Sequence, residues 1–325
     1  MGTTRSLRRP LAGKYELTRR LGTGGMAEVW KARHLTTHRP VAVKRISIPV
    51  GGDAQVERRF FKEVQLQARV RHPGVADVLD AGRASDASLY LVLEYLEGQD
   101  LEHSFRARRL RPRELVRVMV RVLDALSACH AAGIVHRDVK PSNIYLARSP
   151  TASFEVKLLD FGIATEVSDH EEEDLIVGTL ETMGPEQARG EGADPRMDVY
   201  SAASVLFRGL AGVPPIDVVS LDELTRAHEM GVRLRLAALR PDLPADLVEV
   251  VDRGLASQPS QRWPSAEAMG AALLACDHRA LGRCEGLGVL ESGVTASLGF
   301  AELAVGAPTE ALVPPTVVRR KGAAA

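Results

Sequence analysis

The chain has 325 residues, of which 42 are acidic and 42 basic, so no net field draws it to nucleic acid or to an anionic membrane surface. That length is enough for one large domain or for two lobes with separate cores. Cys129, Cys276 and Cys284 are scattered, which excludes a metal-ligand spacing or a disulfide framework and suits a reducing cytoplasm.

Residues 1–13 read as a flexible lead, and their arginines precede no apolar run, so no secretory signal is expected. Glu16-Leu17 and Met26–Trp30 read as a hairpin around glycines, and Val41-Ala42-Val43-Lys44 as a third strand. Val56, Phe60 and Val64 recur at every fourth position, which predicts a helix over 54–70. Leu89–Glu94 is a further strand. After Gly98 the pattern turns helical, with an amphipathic helix over Arg113–Ala132 and an apolar one over Asp198–Leu210. Ser220 and Glu223 form a candidate capping box, and helices also fit 245–256 and 265–276. The arginines at 106, 108, 109, 111 and 113 read as solvated surface. Residues 277–325 are rich in Gly, Ala and Pro and read as a tail. Gly286–Ala307 is interrupted by Glu291 and Glu302, so no membrane span is expected there.

Several groups along this frame carry chemistry. Leu21-Gly22-Thr23-Gly24-Gly25-Met26-Ala27-Glu28-Val29 joins two predicted strands, where glycines let backbone N–H groups approach phosphate oxygens. An ordinary Gly-rich hairpin turn would read the same way, and a bend between two strands argues against a dinucleotide or P-loop site. Lys44 ends its strand as a compact cation. Glu63 shares a helix face with Phe60, so either its carboxylate points to an apolar surface and calls for a cation, or it lies on an exposed face of the helix. His136-Arg137-Asp138-Val139-Lys140-Pro141-Ser142-Asn143 is followed by Asp160-Phe161-Gly162, bringing a base, a cation and two oxygen ligands onto two turns.

Together these motifs resemble the bacterial branch of the eukaryotic-type serine/threonine protein kinases, over residues 14–276. The resemblance implies an α+β, two-lobed fold with a β-rich lobe over 14–96 and a mainly helical lobe over 97–276. It implies that Asp138 takes or orients the proton of the incoming hydroxyl and that Lys140 neutralises the moving phosphate. Asn143 and Asp160 would ligate Mg²⁺, with Mn²⁺ as the alternative. The loop from Leu21 to Val29 would cover ATP, with Ala27 at the third glycine, and Lys44 would pair with Glu63. Backbone groups of Glu94 and Leu96 would meet the adenine edge beneath Leu21, Val29 and Ala42. Tyr145 falls where the family has an aliphatic floor, and His136 and Phe161 would be apolar-side supports.

Further along, Gly178–Glu186 resembles the peptide-receiving segment, with Gly184 and Thr182 departing from the usual alanine and tyrosine. Thr179 would contact the Asp138–Lys140 region. Glu186 is expected to pair with Arg262, and Asp198 to hold the catalytic turn through backbone N–H groups. Asp169, Glu171, Glu172, Glu173 and Asp174 lie in a loop where kinases often carry phosphate; one or two of them could hold Arg137 in its place, or the loop could be solvated. Ser168 and Thr165 are candidate phosphosites. The implied partners are ATP and proteins bearing Ser or Thr, with no nucleic acid, in the cytoplasm, and a homodimer is left open. The competing readings are a nucleotide-binding pseudokinase and a small-molecule kinase.

Overall fold

The computed structural model describes residues 10–24, 27–47, 54–108, 110–152, 154–160 and 180–284. The acidic run, Phe161, Gly162, Gly25, Met26, Thr179, the candidate phosphosites and residues 285–325 lie outside the described residues. The tail reading of 277–325 is corrected at its start, where His278–Leu281 forms a short helix that buries Leu281 against the core.

Five antiparallel strands form the first sheet: β1 (Tyr15–Gly24), β2 (Ala27–His34), β3 (Pro40–Ile46), β4 (Val78–Arg83) and β5 (Leu89–Glu94), in the order β1-β2-β3-β5-β4. The period-2 alternation of β3 gives the sheet two faces. Val41 and Val43 pack with Tyr15, Ala32, Tyr90 and Val92 on one face. Ile46, Leu91 and Leu93 join Phe60 and Val64 of helix α1 (Ala54–Gln67) on the other. Lys44 and Ala42 therefore sit on the face that looks towards the helical lobe. Val29 is the register partner of Lys44 and shares that face.

Helix α1 stops at Gln67, three residues before the predicted end. Gln67 is 2% exposed, and among the described residues neither its amide nitrogen nor its amide oxygen has a hydrogen-bond partner. A buried polar group left this way costs about 1–3 kcal/mol. Gln67→Leu is therefore expected to stabilise the protein by roughly that amount and to raise Tm by several degrees. Thermal unfolding measures it, and a fall in Tm would show that the amide is in use.

A short crossing segment follows β5. Gly98 has φ +155°, and a Cβ there would meet the Leu146 carbonyl oxygen at 2.1 Å, so only glycine lets the chain pass. Strands β6 (Gly98–Asp100), β7 (Ile144–Ala147) and β8 (Glu155–Leu158) then form a second, three-stranded sheet.

The helical lobe is built on α2 (Leu101–Arg106) and α3 (Pro112–Ala131), followed by α4 (Pro185–Ala188) and α5 (Arg196–Ala211). It is completed by α6 (Leu221–Glu229), α7 (Leu236–Leu239), α8 (Ala245–Gly254), α9 (Ala266–Ala275) and α10 (His278–Leu281). Val118, Met119, Val122 and Leu126 of α3 are fully buried, as their spacing predicts, and pack in one core with α5, α8 and α9. Ser220 caps α6 by accepting from the Glu223 N–H at 3.2 Å; the Glu223 carboxylate reaches Val219 N rather than the cap residue's own N–H. Cys129, Cys276 and Cys284 are free thiols.

Candidate active site

The catalytic turn is held from below by Asp198, a fully buried residue in the first turn of α5. Its Oδ2 accepts from His136 N at 2.8 Å and from His130 Nε2 at 2.7 Å, and its Oδ1 accepts from Arg137 N at 2.9 Å. Donors in this number replace the hydration that a buried carboxylate loses. Arg137 is in the left-handed region at φ 64°, where a non-glycine residue persists only if its surroundings hold it there.

His136 joins this turn to the second one. Its Nδ1 accepts from Asp138 N at 3.2 Å, which places the ring proton on Nε2 for donation to Leu159 O at 2.9 Å. Leu159 N in turn donates to Asn143 O at 2.8 Å. These two bonds bring Asp138, Asn143 and Asp160 to one place. His136 is fully buried, but its role is that of a polar connector, not the apolar support the family resemblance implies.

Asp138 Oδ2 accepts from Lys140 Nζ at 2.8 Å and from Asn143 Nδ2 at 2.9 Å. Asn143 Nδ2 also donates to Asp138 O at 2.8 Å, which leaves the side-chain oxygen Oδ1 of Asn143 for another partner. Across the cleft, Lys44 Nζ donates to Asp160 Oδ1 at 2.9 Å. The expected Lys44 partner, Glu63, is half-buried on α1, and the lysine's ion pair runs to Asp160 instead. Burial alone would push the Asp160 carboxyl up. The charge and hydrogen bond of Lys44, with His136 and Lys140, outweigh that and hold it below the usual carboxylate range. Asp160 also has a positive φ, 47°, so both turns carry a strained residue.

Above the cleft, β1 and β2 pair as far as Gly24 and Ala27, with Gly22 opposite Val29 and Thr23 opposite Glu28. Leu21 is exposed at 42%. Ala42 is paired with Leu93 across β3 and β5, next to the crossing segment. There Glu94 and Asp77 exchange bonds (Glu94 N to Asp77 O at 3.1 Å, Asp77 N to Glu94 Oε1 at 3.0 Å), and Lys157 Nζ donates to Glu94 Oε1 at 2.7 Å. Tyr145 on β7 points its hydroxyl to Leu96 O at 3.5 Å. Burial pushes its phenol up, so it remains a donor. Tyr145 therefore sits beside the crossing segment, but with a polar tip where an aliphatic floor was the family expectation.

The segment leading to α4 is anchored to the same frame. Ser201 Oγ donates to Thr182 O at 2.8 Å and Ser204 Oγ to Glu181 O at 2.6 Å, while Gln187 Nε2 donates to Arg137 O at 2.8 Å. Thr182 is buried, so the departure from tyrosine leaves a packed residue there. Arg262 and Glu186 form the expected buried pair. Sequence reasoning missed His130, Lys157 and Gln187. For His130 the signal was its position six residues before His136, at the end of the helix that delivers the turn.

His228 of α6 also supports this segment, donating through Nε2 to Met183 O at 3.2 Å. Burial pushes its imidazole down to about 4 from an ordinary 6.5. Below pH 6.5 the unfolded chain takes up this proton and the folded one does not, so stability falls as pH drops towards 4. The fall from pH 7 to 5 is expected to include about 2 kcal/mol from this residue. Urea unfolding of His228→Gln at both pH values should show a correspondingly flatter dependence.

The protein kinase domain profile matches residues 15–274. This chain belongs to the protein kinase family. The kinase domain is 36% identical over 274 residues to the serine/threonine-protein kinase PknB of Mycobacterium tuberculosis, covering 81% of this chain and 43% of PknB. It is 33% identical over 313 residues to a probable serine/threonine-protein kinase of Streptomyces coelicolor, covering 94% of this chain and 45% of that protein. The chain thus spans less than half the length of these two relatives. The crystal structure of the Mycobacterium tuberculosis PknI kinase domain superposes with TM-score 0.63 at 29% identity, covering 80% of this chain and 95% of that one.

Proposed function

We propose that this kinase domain transfers the γ-phosphate of ATP, as a divalent-metal complex, to serine or threonine hydroxyls of proteins in bacterial signalling. The observation that carries the reading is the junction made by His136 and Asn143 to Leu159. It sets the Asp138–Lys140–Asn143 cluster against the Lys44–Asp160 pair.

The donor set fits a hard cation. The Asp160 carboxylate is held ionised, and the side-chain oxygen Oδ1 of Asn143 is turned away from Asp138 by the bonds of its own amide nitrogen. Among the described residues no group of three His, Cys, Asp or Glu side chains could hold a metal alone. Mg²⁺ is usually bound by one or two side chains plus substrate phosphates, and Asn143 and Asp160 would supply two such side chains. When bound there, a metal with Asn143 and Asp160 would supply neutralisation of phosphate charge; Mn²⁺ has the same oxygen preference.

The remaining work falls to this chain's own residues. The acceptor hydroxyl is oriented by Asp138, whose Oδ2 is positioned by Lys140 and Asn143. Lys140 lies beside that carboxylate and offsets negative charge on the moving phosphoryl group. Lys44 binds the α- and β-phosphates, with Glu63 one turn beyond Phe60 on α1 as its candidate partner once nucleotide draws it off Asp160. The loop from Leu21 through Gly22, Thr23, Gly24, Gly25, Met26, Ala27 and Glu28 to Val29 covers the phosphates and excludes water. Glu94 and Leu96 offer backbone groups to the base, with Ala42 above and Tyr145 below. The transition state is loose, so positioning and charge stabilisation supply most of the rate. Burial pushes the Cys129 thiol up to about 12, so it stays protonated, as suits a cytoplasmic protein.

Incubation with γ-labelled ATP, Mg²⁺ and a generic basic protein, followed by phosphosite mapping, tests the assignment. Phosphoserine or phosphothreonine is expected, and Lys44→Met should remove it. No labelling of any polypeptide with either metal would reject the reading. Labelling of an amino-alcohol or aminoglycoside but never of protein would replace it.

A further inference from the structure

Helix α3 presents a ridge of like charge. Arg113, Arg117 and Arg121 recur at every fourth position and are all exposed, while the residues between them build the core. Among the described residues none of the three has an ion-pair partner. By contrast Arg33, Arg45, Arg83, Arg196, Arg233 and Arg240 each meet a carboxylate at 2.6–3.1 Å.

Two acids lie on the same helix, and both are committed elsewhere. Glu114 Oε2 accepts from Arg111 N at 2.9 Å, and its Oε1 faces the Arg111 guanidinium at 3.6 Å. Asp124 is taken by His72 Nε2 at 3.3 Å. Like charges at this spacing weaken a helix, and a glutamate at any neighbouring turn would relieve them. In a chain with as many acids as bases, three aligned and unneutralised arginines are a local excess of positive charge.

We propose that this ridge docks an acidic polypeptide segment of a partner protein. The spacing favours an extended segment with acids at alternate positions. Successive arginines on the ridge are about 6 Å apart along the helix axis, and same-face residues of an extended chain recur about every 6.7 Å. Three guanidinium forks can then each take one carboxylate. Nucleic acid has a similar phosphate spacing, but single strands are held largely by stacking on aromatic rings. The exposed large apolar side chains of the described surface are Leu, Val and Met only, and none is aromatic.

The test uses the full chain and fluorescence anisotropy with a labelled peptide of six glutamate-alanine repeats. Oligothymidylate of matching length and phosphatidylserine vesicles serve as the other two probes. Peptide binding is expected at low salt and should weaken steeply as salt is raised. The triple charge reversal Arg113→Glu, Arg117→Glu, Arg121→Glu should lower peptide affinity about tenfold or more, the sum of three exposed ion pairs. The triple glutamine variant should fall between. Both variants should keep the wild-type Tm and autophosphorylation rate, since the ridge touches neither the core nor the catalytic cluster. The proposal is overturned if wild type does not bind the peptide at low salt, or if wild type and charge-reversed protein bind it equally. Tighter binding of oligothymidylate or vesicles, lost in the same variants, would overturn it in favour of those partners.

Discussion

Asp138→Ala is expected to lower the rate of phosphoryl transfer by about 10²–10⁴-fold, the usual worth of a positioned general base. The carboxylate accepts from Lys140 at 2.8 Å and from Asn143 at 2.9 Å, so its loss removes the proton acceptor and these two bonds, while Asn143 keeps its bond to Asp138 O. The effect should fall on kcat, with ADP affinity within a few-fold of wild type, because in the proposed mechanism Asp138 serves the acceptor hydroxyl and Lys44 the nucleotide. Asp138→Asn separates the two contributions. It keeps the shape and an oxygen for Lys140 but cannot accept a proton as a carboxylate does. If orientation alone mattered, the asparagine variant would retain most of the rate; a loss equal to that of the alanine variant assigns the effect to the carboxylate itself. The variant should keep its fold, since the turn is held by Asp198 through the backbone of His136 and Arg137 and not through the Asp138 side chain. Activity of Asp138→Ala at the wild-type level would remove Asp138 from the mechanism.

What could be read from the chain differs by kind of residue. Asp198 and the Glu186–Arg262 pair were legible because the family resemblance named their partners; the structure supplies the reason, since charged groups buried this deeply must be compensated. Helix α3 was legible from its spacing, and its start at Pro112 lies one residue from the expected Arg113. Strand β4 was not. Its sequence, VLDAGR, places Asp80 and Gly82 where alternation would call for apolar residues. The structure explains both: Asp80 Oδ2 accepts from Tyr15 Oη at 2.8 Å and Lys14 Nζ at 3.1 Å, and a Cβ at Gly82 would lie 2.6 Å from the Tyr90 hydroxyl. Strands β6 to β8 are three or four residues long, too short for any period to show. The choice of Asp160 over Glu63 by Lys44 was equally hidden. A sequence shows that a lysine needs a carboxylate, but two candidates on opposite sides of a cleft are separated only by where the backbone places them.

Arg262→Ala is expected to destabilise the protein by about 3–5 kcal/mol, as removing one member of a buried ion pair does. Arg262 is fully buried at its side chain and Glu186 nearly so. The guanidinium fork donates to both Glu186 carboxylate oxygens, with Nη2 to Oε2 at 2.7 Å, to Arg196 O and Ala256 O at 2.8 Å each, and to Ser257 O at 3.2 Å. It also lies 4.9 Å from the Tyr200 ring centroid. Truncation therefore strands a buried carboxylate and three carbonyls at once. For a domain of this size each kcal/mol is worth about 2–4 °C, so Tm should fall by roughly 6–20 °C. Arg262→Lys should recover little, because a point cation cannot serve a fork geometry. The double variant Arg262→Met with Glu186→Leu removes the stranded charge and should recover a large part of the loss, which isolates the ion pair from simple packing. Activity should fall with stability in the single variant, since Glu186 lies in the first turn of the helix whose Gln187 holds Arg137 O. A loss below about 1 kcal/mol in denaturant unfolding would mean that solvent reaches Glu186 and that the pair is not structural.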